Sequence, residues 1–413
     1  MFKADLDCRD NVADDDALIL KYLWNAGCVF YARTTQPQLL MHLETSSNLY
    51  GETVNPYNRD LTSGGSSGGE GALIALRGSC LGIGTDIGGS IRSPAANCGV
   101  YGFRPTSYRL PLVGCLASML GQEQVVPVIG PLSTSLEGLK FFMRAIIDQK
   151  PWLTDPSMLP FPWRDYKANT LLKSENGKPK LKVGVLWHDG VVMPHPPITR
   201  ALHEIADKLK GVAGIELVDW RPYKHDLAWE IISSLYFCDG AKEDVDTLAE
   251  SGEPWLPLST FIAKDQPGVK DYSVTDLWKL VIKREKYKAE YAAVWNETAV
   301  EGDLETTVDV ILCPAGPGTA PPLDHARYWG KTNQQHQIHF IQLLIFCRVY
   351  KPVESARLSS SSLPCCEGRP GEGRAITGLH AHEQSGWVES QLVFAGKIRG
   401  CTGVIAAGWS SLR

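Results

Sequence analysis

The chain has 413 residues, 44% of them hydrophobic and 21% charged, with a formal net charge of -5. These are ordinary values for a globular protein with a sizeable core, and the mild negative balance argues against a general nucleic-acid or membrane-surface binder. No apolar run approaches the length of a membrane-spanning helix, and "MFKADLDCRD" has no apolar stretch of the kind that opens a signal peptide, so a cytoplasmic location is expected.

In chain order, "DDDALILKYLWNAG" predicts a helix with aspartates at its start and Gly27 as its stop. "CVFYA" predicts a short buried strand and "PQLLMHLE" a helix, followed by a polar loop. "GGEGALIALRG" predicts a helix, "LGIGTD" a buried strand and "SIRSPAANCG" another short helix. Further helices are expected at "TSLEGLKFFMRAIID", "PPITRALHEIADKLKG" and "DLWKLVIKREKYKAEYAAVWNET". "KLKVGVLW", "GIELVDW" and "VDVILCP" read as strands. Strands interleaved with helices imply a layered α/β architecture. The Pro- and Lys-rich stretch after Pro151 reads as a connection inside one domain. The eleven cysteines show no C-x-x-C pair and are expected as free thiols in a reducing compartment. The histidines before Gly330 lack metal-ligand spacing, so no metal is expected.

The chemistry concentrates in "GGSSGGEGALIALRGSCLGIGTDIGGSIRSPAANCG", Gly64 to Gly99. Glycine at this density marks positions where no side chain fits. Ser90 follows Gly88 and Gly89 where a strand turns into a helix. The backbone N–H groups of Ile87, Gly88, Gly89 and Ser90 can converge there on one point, as an oxyanion hole requires. Ser90 is then a candidate nucleophile in need of a base, and Ser66, 24 residues upstream, could relay its proton. Alternatively, the glycines only make tight turns and the serines only cap helices. A phosphate cradle is disfavoured, because no Gly-Lys-Ser/Thr step and no correctly placed G-x-G-x-x-G is present.

The same run, continued through "VYGFRP", resembles the core of the amidase signature family, near its fungal acetamidase-like and fatty-acid-amide-hydrolase-like branch. The likeness extends back through "AGCVFYARTTQPQLLMHLETSSNLYGETVNP" and forward to about Trp329. It implies an α/β amidase-signature fold, a mixed β-sheet core covered by helices on both faces. It also implies hydrolysis of a small-molecule carboxamide to acid plus ammonia or amine through a serine–cis-serine–lysine triad, with no cofactor. By this resemblance Ser90 is the acyl-enzyme nucleophile and Ser66 the proton relay at a cis peptide bond. Ile87, Gly88 and Gly89 serve the oxyanion, Leu40 lines the substrate channel, and Ser67, Thr85, Asp86 and Arg92 support the loop. A homodimer is compatible with it.

The resemblance departs from the family at both ends. The family lysine lies well upstream of the first serine, at a position that falls before Met1 here. Lys3 and Lys21 stand in contexts unlike it, so the chain as written is expected to be inactive or nearly so. After Gly330 the text loses its family character. From Val349 a back-translation read one base forward can encode "YTNQWNLLDYPALVFPVAKVD", and from Gly396 "EKYEDAPVSLQLVGRRY", both similar to the family C-terminus. Residues 1–330 are therefore expected to form a partial amidase domain. Residues 331–347 are expected to be intron-encoded and 348–413 out of frame, leaving the core short of a C-terminal strand. A catalytically dead amidase-fold protein, or an amidotransferase A-type subunit, are the remaining functional alternatives.

Overall fold

In a computed structural model of the chain, residues 13–163, 181–325, 391–398 and 401–408 are described. The first helix, α1 (Leu18–Asn25), buries Ile19, Tyr22 and Leu23, and Ala17 rather than an aspartate stands at its start. α2 (Gly68–Ala75) leads into β1 (Leu81–Asp86), and α3 (Arg92–Asn97) into β2 (Tyr101–Pro105). β3 (Val128–Ser133) is followed by α4 (Leu136–Ile147), whose N-terminus is capped by Ser135 Oγ accepting from the Gly138 N–H at 3.1 Å. The next elements are β4 (Leu181–Val185), α5 (Pro196–Lys210), β5 (Ile215–Asp219), α6 (His225–Tyr236) and α7 (Lys242–Ser251). The long α8 (Val274–Asn296) precedes β6 (Val310–Pro314), and β7 (Gln391–Ile398) and β8 (Cys401–Gly408) complete the set.

Eight strands form one mixed sheet in the order β1-β3-β2-β8-β7-β6-β4-β5. β4 runs parallel to β5 and to β6, and the other pairings are antiparallel. Successive strand residues face opposite sides, and β6 shows it directly. Ile311 and Cys313 join the core formed with α2, α3, α6 and α8, whereas Leu312 joins Leu202 and Ile205 of α5. On the latter side α1 and α4 pack Leu23, Leu139, Phe142 and Met143 against Phe103 and Ile129 of the sheet. Helices thus cover both faces, as expected.

Three local expectations are corrected. "CVFYA" forms no strand: Cys28–Ala32 pairs with no ladder, and Val29 and Tyr31 are exposed. The Tyr31 hydroxyl donates to the Gly78 carbonyl, which anchors the segment near the end of α2 with no described strand beside it. "PQLLMHLE" contributes only one turn at Gln38–Leu40, because Leu39 and Leu40 both take left-handed φ (61° and 60°), which no continuing α-helix permits. The expected lack of a C-terminal strand is not seen. β7 and β8, beyond Gly330, lie at the centre of the sheet, where their backbones satisfy β2 on one side and β6 on the other.

β1 is an end strand, and its outward N–H groups are met by side chains of the neighbouring helix. Ile83 N–H donates to Glu70 Oε1 (3.1 Å) and Thr85 N–H to Ser67 Oγ (3.2 Å). This closes an edge that would otherwise invite another strand. It also fixes α2, and with it the Gly/Ser run, against the strand that leads to Ser90.

Candidate active site

The glycines of the run are required by close approach. A Cβ on Gly65 would stand 2.5 Å from the Glu44 carbonyl oxygen, and one on Gly68 would stand 2.2 Å from Thr45 Oγ1. The segment therefore lies flat against residues 44–45. Thr45 Oγ1 accepts from the Gly68 N–H at 3.1 Å and lies 3.0 Å from the Gly64 carbonyl and 3.4 Å from that of Ser66. The Gly65–Ser66 peptide bond is cis.

The two serine segments meet through one backbone bond, Ser67 N–H to the Ser90 carbonyl at 3.1 Å. Ser66, Ser67 and Ser90 are all buried. Neither α2 nor α3 carries a side-chain cap, so the helix-capping alternative fails for these serines. Ser67 Oγ is turned to Thr85 instead. Among the described residues the Ser66 and Ser90 hydroxyls have no hydrogen-bond partner.

Asp86 organises the turn between β1 and α3. Its Oδ1 accepts from Gly89 N–H (2.8 Å) and Arg92 Nη2 (2.8 Å), and its Oδ2 from Ile91 N–H (3.1 Å) and Arg92 Nε (2.9 Å). Arg104 Nε lies 3.7 Å from Oδ1. Burial opposes the charge of Asp86, but the Arg92 guanidinium, its hydrogen bonds and Arg104 outweigh it, holding the carboxyl well below the usual carboxylate range. A fully buried carboxylate with a bidentate arginine is a rigid anchor for the loop it spans.

This geometry sorts the groups expected at the oxyanion. Gly89, at φ 131°, gives its N–H to Asp86, so it is not among the donors left for a ligand. The N–H groups of Ile87, Gly88 and Ser90 donate to no described residue. Ser90 N–H is aimed by its own peptide plane, because the Gly89 carbonyl across that plane accepts from Ser93 N–H at 2.7 Å. Thr85 enters the network through its backbone, not its side chain. Leu40 is half-buried in the left-handed turn before Met41.

No described lysine is buried. Lys21 is exposed and paired with Asp15, while Lys3 lies outside the described residues. Sequence reasoning missed Thr45, Arg104 and Tyr236, whose hydroxyl donates to the Ile87 carbonyl at 3.1 Å. Arg104 stood inside the family-like run, while Tyr236 had no local signal at all.

A family model described as Amidase matches residues 5–377. The chain belongs to the amidase signature family. Within it, an Acetamidase of Emericella nidulans is 39% identical over 344 residues, covering 83% of this chain and 60% of the relative. A relative from Schizosaccharomyces pombe, whose name places it among amidases, is 46% identical over 323 residues, covering 78% of this chain and 57% of its own length. The solved structure of a fatty acid amide hydrolase superposes with a TM-score of 0.70 at 36% identity, covering 81% of this chain and 55% of that one. The chain thus spans somewhat more than half the length of the amidases it matches. Its mixed sheet with helices on both faces is the amidase-signature architecture.

Proposed function

We propose that the chain carries the acyl-transfer centre of an amide hydrolase, with Ser90 as nucleophile and Ser66 as proton relay. The observation that carries this reading is the joining of the two serine segments at a turn whose Gly88 and Ser90 N–H groups have no partner among the described residues. Ser90 Oγ attacks the carboxamide carbon, forming the C–O bond and pushing the carbonyl electrons onto oxygen. The N–H groups of Gly88, Ser90 and Ile87 receive the charge that develops there. The Ser90 proton passes to Ser66, whose own proton goes to a base and then to the departing nitrogen as the C–N bond breaks. Water repeats the sequence on the acyl-enzyme, releasing the acid and restoring both hydroxyls. Ser67, Asp86 and Arg92 hold this geometry, and Leu40 flanks the substrate path. The substrate is a small or apolar carboxamide, and the reaction needs no metal or cofactor.

No described lysine stands beside Ser66, so the base of the triad is not among the described residues. We propose further that a chain without that lysine is a weak catalyst, slower than a complete triad by on the order of ten-thousand-fold or more. Incubation with a fluorophosphonate, followed by mass mapping of the adduct, tests the centre. Adduct on Ser90, lost in S90A and slowed in S66A, supports the reading, and adduct elsewhere or none overturns it. Hydrolysis of acetamide or an anilide at a rate typical of an intact serine hydrolase would overturn the weak-catalyst part.

A further inference from the structure

We propose that Tyr236 is a positioning residue of this centre: by holding the Ile87 carbonyl, its phenol aims the Gly88 N–H into the oxyanion pocket. The inference rests on the acyl-transfer reading above and adds the element that sets one of its donors.

In a planar trans peptide the C=O of one residue and the N–H of the next point in opposite directions. Fixing the Ile87 carbonyl therefore fixes the direction of the Gly88 N–H. The three peptides that follow Asp86 and Ile87 each have a different holder. Gly89 N–H is held by Asp86, and the Gly89 carbonyl by Ser93 N–H. The Ile87–Gly88 peptide opens a Gly-Gly step, so on its Gly88 side no side chain resists rotation. Among the described residues its holder is the Tyr236 hydroxyl, 3.1 Å from the Ile87 oxygen.

Tyr236 is itself firmly placed. It is the last residue of α6 and buried in the core that also receives Ile87. Gln122 Nε2 donates to the carbonyls of Leu235 and Tyr236 at 2.7 and 2.8 Å, closing the helix end. Burial, together with the nearby Asp86 charge, keeps the phenol protonated far above its ordinary range, so it remains a donor throughout any working pH. A phenolate could not donate to a carbonyl, and burial disfavours that form here.

The test is Tyr236→Phe, which removes one hydroxyl and leaves the packed ring. Crystal structures of the full chain and of Y236F would show the Ile87–Gly88 peptide directly. The rate of fluorophosphonate adduct formation at Ser90 would be split into probe affinity and the maximal rate of bond formation. The expected result is a rotated or doubly oriented Ile87–Gly88 peptide. The maximal rate should fall by about ten-fold or more, less than the loss of a whole donor, with probe affinity and the thermal midpoint nearly unchanged. A peptide that keeps its single orientation in Y236F, or an unchanged maximal rate in a chain that does label, overturns the proposal. If the wild-type chain labels no more than S90A, the acyl-transfer reading fails, and the peptide orientation alone then decides what Tyr236 holds.

Discussion

At the scale of single residues, the site depends on buried polar groups that have been matched one by one. Asp86 faces two arginines with no solvent to screen either, so Asp86→Asn should leave uncompensated guanidinium charge in the core. The expected loss is about 3–5 kcal/mol, read from denaturant unfolding, and a loss under about 1 kcal/mol would show that the network is not an anchor. Two buried histidines set the acid limit. Burial lowers His42 and His225 to about 4, in the face of weaker backbone contacts that favour the charged form. Above the unfolded value of about 6.5 both states are neutral and the histidines cost nothing. As pH falls from there toward 4, the unfolded chain binds protons that the folded chain refuses, so stability falls by about 3 kcal/mol for each histidine. Unfolding free energies at a series of pH values should show that slope, and His225→Phe should remove its share. A flat profile from pH 7 to 5 would contradict the burial of these rings.

At the scale of elements, periodic helices and apolar strands were legible because their signal is local. α4 buries Leu139, Phe142, Met143, Ile146 and Ile147 at helical spacing, and α5 does likewise with Ile198, Ala201, Leu202, Ile205 and Ala206. The failures at "CVFYA" and "PQLLMHLE" share one cause. A short apolar run becomes strand or helix only if the surroundings accept it. No described strand lies beside Cys28–Ala32. Gln38 is pinned from a distance, its Nε2 donating to the Pro254 carbonyl at 3.1 Å and its Oε1 accepting from Leu256 N–H at 3.0 Å. The flat lie of the Gly/Ser run on residues 44–45 is equally demanding. Gly68→Ala should force its methyl onto Thr45 Oγ1 and destabilise the chain by about 1–3 kcal/mol. Because Gly68 adjoins the Ser67–Ser90 contact, Ser90 adduct formation should slow as well. Unchanged stability would show that residues 44–45 can retreat.

At the scale of the whole molecule, the sheet is continuous only because β7 and β8 join its two halves. A chain ending at Gly330 would leave the facing edges of β2 and β6 unpaired in mid-sheet. Such edges template association, so the shortened chain should aggregate rather than unfold cooperatively as a monomer. A soluble, cooperative product would show that the halves close on each other. The proposal that residues 331–347 are intron-encoded and 348–413 out of frame is decided by genomic DNA. It requires a GTAAG donor at Gly330-Lys331 and a pyrimidine-AG acceptor at Cys347-Arg348, and codons that cannot be spelled this way overturn it. Central strands are compatible with such an origin, since ladder pairing is made by backbone groups that every residue but proline supplies.

The sequence by itself determined the family and the α/β class, because glycine spacing and helical periodicity are written in neighbouring residues. Only the tertiary structure decided which N–H groups at the turn have no partner among the described residues. Gly89 is spent on Asp86, and Gly88 is aimed through a tyrosine 149 residues away from Ile87. The direction of the Ile87–Gly88 peptide plane is set by whatever holds its carbonyl, and no local pattern records a holder brought there by the packing of α6.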